Sequence, residues 1–80
     1  MSPTFLVYKR YRFYVNSREE TRVHIHVQTP EGEMKIWLSP GIEIAKNYSV
    51  PSRDVREILV VVKEKEYEFK SLWEKHFVGR

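Results

Sequence analysis

Along the first half of the chain hydrophobic residues alternate with polar ones, and from residue 55 they recur at intervals of three and four. Alternation is the mark of a strand with one covered face, and the longer interval is the mark of a helix with one apolar stripe. Four runs rich in aromatic and β-branched residues predict strands over 4–8, 11–15, 22–28 and 33–38. Lys9-Arg10 is short enough for a tight hairpin, Asn16 to Glu20 makes a polar loop, and Thr29-Pro30-Glu31-Gly32 reads as a turn in which a late glycine tolerates positive φ. After Ser39-Pro40-Gly41 ends the sheet, 42–47 reads as a short helix. Val55, Ile58, Leu59, Val62, Phe69, Trp73 and Phe77 then predict one long helix over 51–77, opened by Pro51 and stopped by Gly79. Glu66 interrupts that stripe, as a glutamate at the core edge or paired with a nearby base does.

Short connections between successive strands favour antiparallel neighbours. The predicted fold is therefore α+β: a four-stranded, mostly antiparallel sheet, then a short helix and a long C-terminal helix packed on one sheet face. Residues 1–80 form a single domain. Parity assigns Tyr11, Phe13, Val15, Val23, Ile25, Val27, Met34, Ile36 and Leu38 to the covered side. The opposite side collects Arg12, Tyr14, Arg22, His24, His26, Lys35 and Trp37.

Composition narrows the setting. With 41% hydrophobic and 14% aromatic residues the chain is too apolar for intrinsic disorder. It has no cysteine, which excludes disulfides and thiolate metal sites. No apolar run is long enough for a membrane span and the N-terminus lacks the features of a secretory leader, so the expectation is a cytoplasmic protein without a membrane partner. A net charge of +3 gives a mild preference for acidic partners.

The outward set mixes cations, flat rings and imidazoles, a combination suited to RNA: charge holds phosphates, rings stack on bases, and histidine moves protons. The plain alternative is the wet face of any antiparallel sheet. Three sharper readings of His24 and His26 stay open. A metal site would need further ligands from residues such as Glu31, Glu33 or His76, at no recognisable spacing, and no metal or other cofactor is expected. A metal-independent ribonuclease would use the histidines as candidate catalytic groups, with Arg12, Arg22 and Lys35 on phosphate and Tyr14 and Trp37 stacking. A non-enzymatic face would use the same residues to bind nucleic acid or a partner protein. The open aromatic face, or a free edge strand, also gives the chain a reason to form a homodimer.

The segments PTFL, YRFYVNS, HIHV, KIWLSP, REIL and LWEKHF, in that order, resemble the bacterial and archaeal family called domain of unknown function 4160. The resemblance implies that Tyr11, Arg12, Phe13, His24, His26, Lys35 and Trp37 form the family-defining face and its support. It also implies a place in a toxin–antitoxin module, with a cognate small protein as partner. Members usually carry glycine before the YRF segment, where this chain has Lys9-Arg10. His76, beside Trp73 and Phe77 near the apolar stripe, reads as a core-edge histidine.

Overall fold

The computed structural model describes residues 4–15 and 22–78, with side chains as far as His76. The predicted Asn16–Glu20 loop, the Gly79 stop and the Phe77 side chain lie outside them. The elements are β1 (Thr4–Tyr8), β2 (Tyr11–Tyr14), β3 (His24–Gln28), β4 (Glu33–Trp37), β5 (Glu43–Tyr48), α1 (Ser52–Glu64) and α2 (Glu66–Val78). The sheet is an antiparallel meander in the order β1-β2-β3-β4-β5, each strand beside its neighbours in sequence. The α+β class stands; the sheet has five strands rather than four.

The fifth strand corrects the short helix expected over 42–47. Glu, Ala and Lys in this segment favour helix, yet the tight Ser39-Pro40-Gly41 connection returns the chain alongside β4. There Glu43 to Tyr48 pair from Trp37 back to Glu33, with an irregularity at Lys35/Ile36. An open row of ladder hydrogen bonds outweighs a weak local propensity. β5 leads into α1 through a turn set by Asn47, whose Oδ1 accepts from the Val50 amide at 2.9 Å while Ser49 adopts a φ of 69°.

The long helix is also corrected: Lys65, with φ −106° and ψ 14°, separates α1 from α2. No glycine or proline marks the break, and the backbone bonds Lys65 N to Val61 O and Phe69 N to Lys65 O run on either side of it. What the bend achieves is packing. Phe69 stacks on Phe13 at 5.5 Å between ring centroids and lies 6.4 Å from Phe5. Glu66, at the start of α2, pairs with Lys70 at 2.8 Å.

The core forms between one sheet face and both helices, as parity predicts. Tyr11, Phe13, Val15, Ile25, Val27, Met34, Ile36 and Leu38 are buried against Ile58, Val61, Val62, Phe69 and Trp73. Burial of each large aliphatic or aromatic side chain contributes about 1.5–3 kcal/mol. Val23 is only half-buried and packs at the margin.

Gly32 is required for a different reason from the one its turn suggests. No glycine among the described residues has positive φ; instead, a Cβ at Gly32 would stand 1.8 Å from the carbonyl oxygen of Tyr48. The β3–β4 turn is itself closed by Thr29, whose amide donates to Gly32 O at 2.8 Å. Gly32→Ala should therefore destabilise the fold by on the order of 1–3 kcal/mol through backbone displacement, and Phe69→Ala by about 3–5 kcal/mol through a cavity under β2. Urea unfolding monitored by tryptophan fluorescence measures both.

Candidate nucleic-acid interface

The sheet face away from the core is organised by register into rows that cross the strands. One row runs Arg12, Gln28, Glu33, Tyr48; the next runs Tyr14, His26, Lys35, Lys46; a third runs His24, Trp37, Glu43. Within and between these rows the side chains form a continuous series of ring contacts. The Arg12 guanidinium lies over the Tyr14 ring at 4.5 Å and Tyr14 stacks on His26 at 5.2 Å. His26 meets His24 edge-on at 5.1 Å, and His24 meets Trp37 edge-on at 5.7 Å. Trp37 carries two cations, Arg22 at 4.2 Å and Lys35 at 4.5 Å. Such contacts contribute about 0.5–1 kcal/mol each at exposed sites and hold long cationic side chains in place.

Arg12 is further held by Thr4, whose Oγ1 accepts from its Nε at 2.8 Å, and by Gln28 Oε1 at 3.2 Å. Arg22 donates from Nε to the carbonyl of Ser39 at 3.0 Å and approaches Glu43 at 3.7 Å. Arg12, Tyr14, His26, Lys35 and Trp37 are all half-buried and Arg22 is exposed, so each of these predicted residues reaches the surface.

His24 departs from that pattern: it is completely buried. Its ring lies between His26 and Trp37, and α2 brings Trp73 to 6.3 Å from it. The Nδ1 atom is 2.6 Å from the Arg22 carbonyl, which can only accept, so Nδ1 carries the proton. His24 thus stands behind the surface and His26 stands in it. Among the described residues no three His, Cys, Asp or Glu side chains are grouped to hold a metal ion.

A shallow depression of about 180 Å³ opens beside His26, lined also by Glu33, Met34, Lys35, Lys46 and Tyr48. Lys46 and Tyr48 come from β5. With that segment read as helix, its alternating outward positions carry no signal of their place beside Lys35 and Glu33.

A second cluster missed by sequence reasoning sits where the β1–β2 turn meets α1, with Arg10 also approaching Glu31 of the β3–β4 turn at 4.0 Å. Asp54, only 3% exposed, accepts from the Tyr11 hydroxyl at 2.8 Å and from Arg10 at 3.2 Å. The Tyr11 hydroxyl also lies 3.0 Å from Glu57 Oε1, so its single proton is shared between the two carboxylates, and Lys9 pairs with Glu57. Lys9 adopts a φ of 55°, in the region glycine favours. The strain of a left-handed non-glycine residue, about 1–2 kcal/mol, is offset by these contacts to α1.

Burial, reinforced by the Asp54 carboxylate, pushes the Tyr11 phenol up to about 12, while the bonds from Lys9 and Tyr11 hold the Glu57 carboxyl below its ordinary value. Arg10 beside Asp54, and Lys9 beside Glu57, are shifted upward.

The model of a family described as a domain of unknown function, DUF4160, matches residues 10–74. No curated protein and no solved structure matches the chain. The matched span contains the whole ring series from Arg12 to Trp37 as well as Asp54 and Trp73. No helix among the described residues is long and apolar enough to cross a membrane.

The Tyr11 cluster gives a pH test. The folded phenol keeps its proton up to about pH 12, whereas the unfolded chain releases it from about pH 10, so this contribution to stability is complete below pH 10 and is lost as pH rises through that window. Urea midpoints measured from pH 8 to 12 should fall through this window for the wild type. Tyr11→Phe should remove this part of the alkaline loss and lower stability at pH 8 by on the order of 1–3 kcal/mol.

Proposed function

The chain belongs to the domain of unknown function 4160 family, and from its own residues we propose that it binds single-stranded RNA on the outer face of the sheet. The observation that carries the reading is the unbroken series Arg12–Tyr14–His26–His24–Trp37, with Arg22 and Lys35 on the last ring. Cations anchor phosphates without regard to sequence, and flat half-exposed rings offer stacking to unpaired bases, whose faces a duplex keeps covered. Because the cations are already held against the rings and by Thr4, Gln28 and Ser39, less side-chain freedom is lost when RNA is bound.

Binding fits this face better than cleavage. A ribonuclease using both histidines needs a general base and a general acid at the phosphate together. Complete burial of His24, with its Nδ1 proton directed at a backbone carbonyl, suits it to hold His26 and Trp37 in place instead. In the toxin–antitoxin setting that the resemblance implies, the protein would act by sequestering or presenting RNA.

Fluorescence anisotropy with an unstructured RNA oligonucleotide should show saturable binding. Four cations on the face, Arg12, Arg22, Lys35 and Lys46, predict a slope of log K against log salt of about −2 to −3. Trp37→Ala should weaken binding by on the order of 1–3 kcal/mol, the contribution of one stacked base. Arg12→Gln should make the salt slope shallower by about one charge's share. No binding at low salt, or equal binding by the wild type and both variants, overturns the reading.

A further inference from the structure

The rows of the outer face differ in charge where they reach β5. Glu33 faces Tyr48, Trp37 faces Glu43, and between these pairs Lys35 stands directly opposite Lys46. Directly paired side chains on neighbouring antiparallel strands have Cβ atoms about 4.5–5.5 Å apart, and like charges so placed destabilise the pair. The Lys35 ammonium rests at the Trp37 ring, and an anion that drew it toward Lys46 would reverse the sign of that interaction. The depression of about 180 Å³ lies at this pair, with His26 on its β3 side and Tyr48, 60% exposed, at its rim.

The positive spot is narrow along the strand direction. Glu33 lines the depression on one side of Lys35, and on the other Glu43, opposite Trp37, is paired with Arg22 at 3.7 Å. Alternate residues on one face of a strand are about 6.6 Å apart, close to the spacing of successive phosphates in an extended strand. A phosphodiester chain running on through the depression past Glu33 would bring its next negative charge toward a carboxylate, whereas one running toward Trp37 meets Arg22, which already pairs with Glu43. A phosphate at the end of a strand has no further charge to place on the Glu33 side. It also carries about −1.5 to −2 at pH 7, against −1 for a diester, and so suits two lysines better.

Building on the reading of this face as an RNA platform, we infer that the depression between β3, β4 and β5 receives the terminal phosphomonoester of the bound strand, with the last base against the Tyr48 ring. Lys35 and Lys46 hold the phosphate, while Glu33, in the lining of the depression, excludes the passage of a continuous backbone on the side away from Trp37. The platform from Trp37 to Arg12 then accommodates the nucleotides that follow.

The test compares one short RNA sequence in three forms: with a 5′-phosphate, with a 3′-phosphate, and with hydroxyl groups at both ends. One phosphorylated form should bind the wild type about tenfold more tightly than the hydroxyl form, which identifies the end that is held. Lys46→Gln should abolish that preference, and Lys46→Arg should retain it. A nucleoside monophosphate of the same end should shift the amide resonances of Lys35, Lys46 and Tyr48, and the corresponding nucleoside should not. Equal binding of all three RNAs, with Trp37→Ala still weakening each of them, overturns the terminal-phosphate site and leaves the platform standing. Failure of every RNA to bind overturns both.

Discussion

The buried carboxylate of Asp54 is the constraint from which the arrangement of the molecule follows. A charge so far removed from water must be compensated, and Arg10 in the β1–β2 turn and Tyr11 at the start of β2 supply the compensation. Because Asp54 lies in the first turn of α1, its bonds fix both the position and the rotation of that helix over the sheet. Ile58, Val61 and Val62 then fall on the apolar side of β2, β3 and β4. With both helices committed to one face, the other is left for cations and rings.

The two faces are nevertheless connected. His24 belongs by parity to the outer rows and touches His26 and Trp37, yet it also meets Trp73 of α2. The neighbouring residue on that helix face, Phe69, stacks on Phe13 in the core. The position of α2 and the orientation of the outer rings are therefore set by one contiguous group of aromatic side chains. A change in helix packing would be felt at the surface through His24 rather than through the backbone of the strands.

Much of this was legible in the sequence, for identifiable reasons. Parity in YRFYV, VHIHV and EMKIWL sorts core from surface without knowledge of any partner strand, and the two-residue Lys9-Arg10 connection imposes antiparallel pairing. The segment EIAKNY was not legible, because its residues favour helix and only the free edge of β4 makes it a strand. Nor was the break at Lys65, which serves Phe69 and Phe13 rather than any local signal. His24 carries the same parity as His26; what buries it is a tryptophan far along the chain. Asp54 reads locally as an ordinary acid in a first helical turn, and its pairing with Tyr11 needs the fold already formed. Gly32 could be assigned to its turn, but the carbonyl of Tyr48 that excludes a Cβ there comes from a different strand.

The meander order has a kinetic meaning. Every strand pairs only with its neighbours in sequence, so the sheet can be assembled one hairpin at a time at small cost in loop closure. The wide gaps in the chain are closed by the helices, through Tyr11 with Asp54 and Phe13 with Phe69. The sheet alone would be a ribbon with one greasy side, which α1 and α2 cover. The face carrying the histidines is built from hairpins local in sequence, whereas its backing comes from Trp73, far along the chain, behind His24.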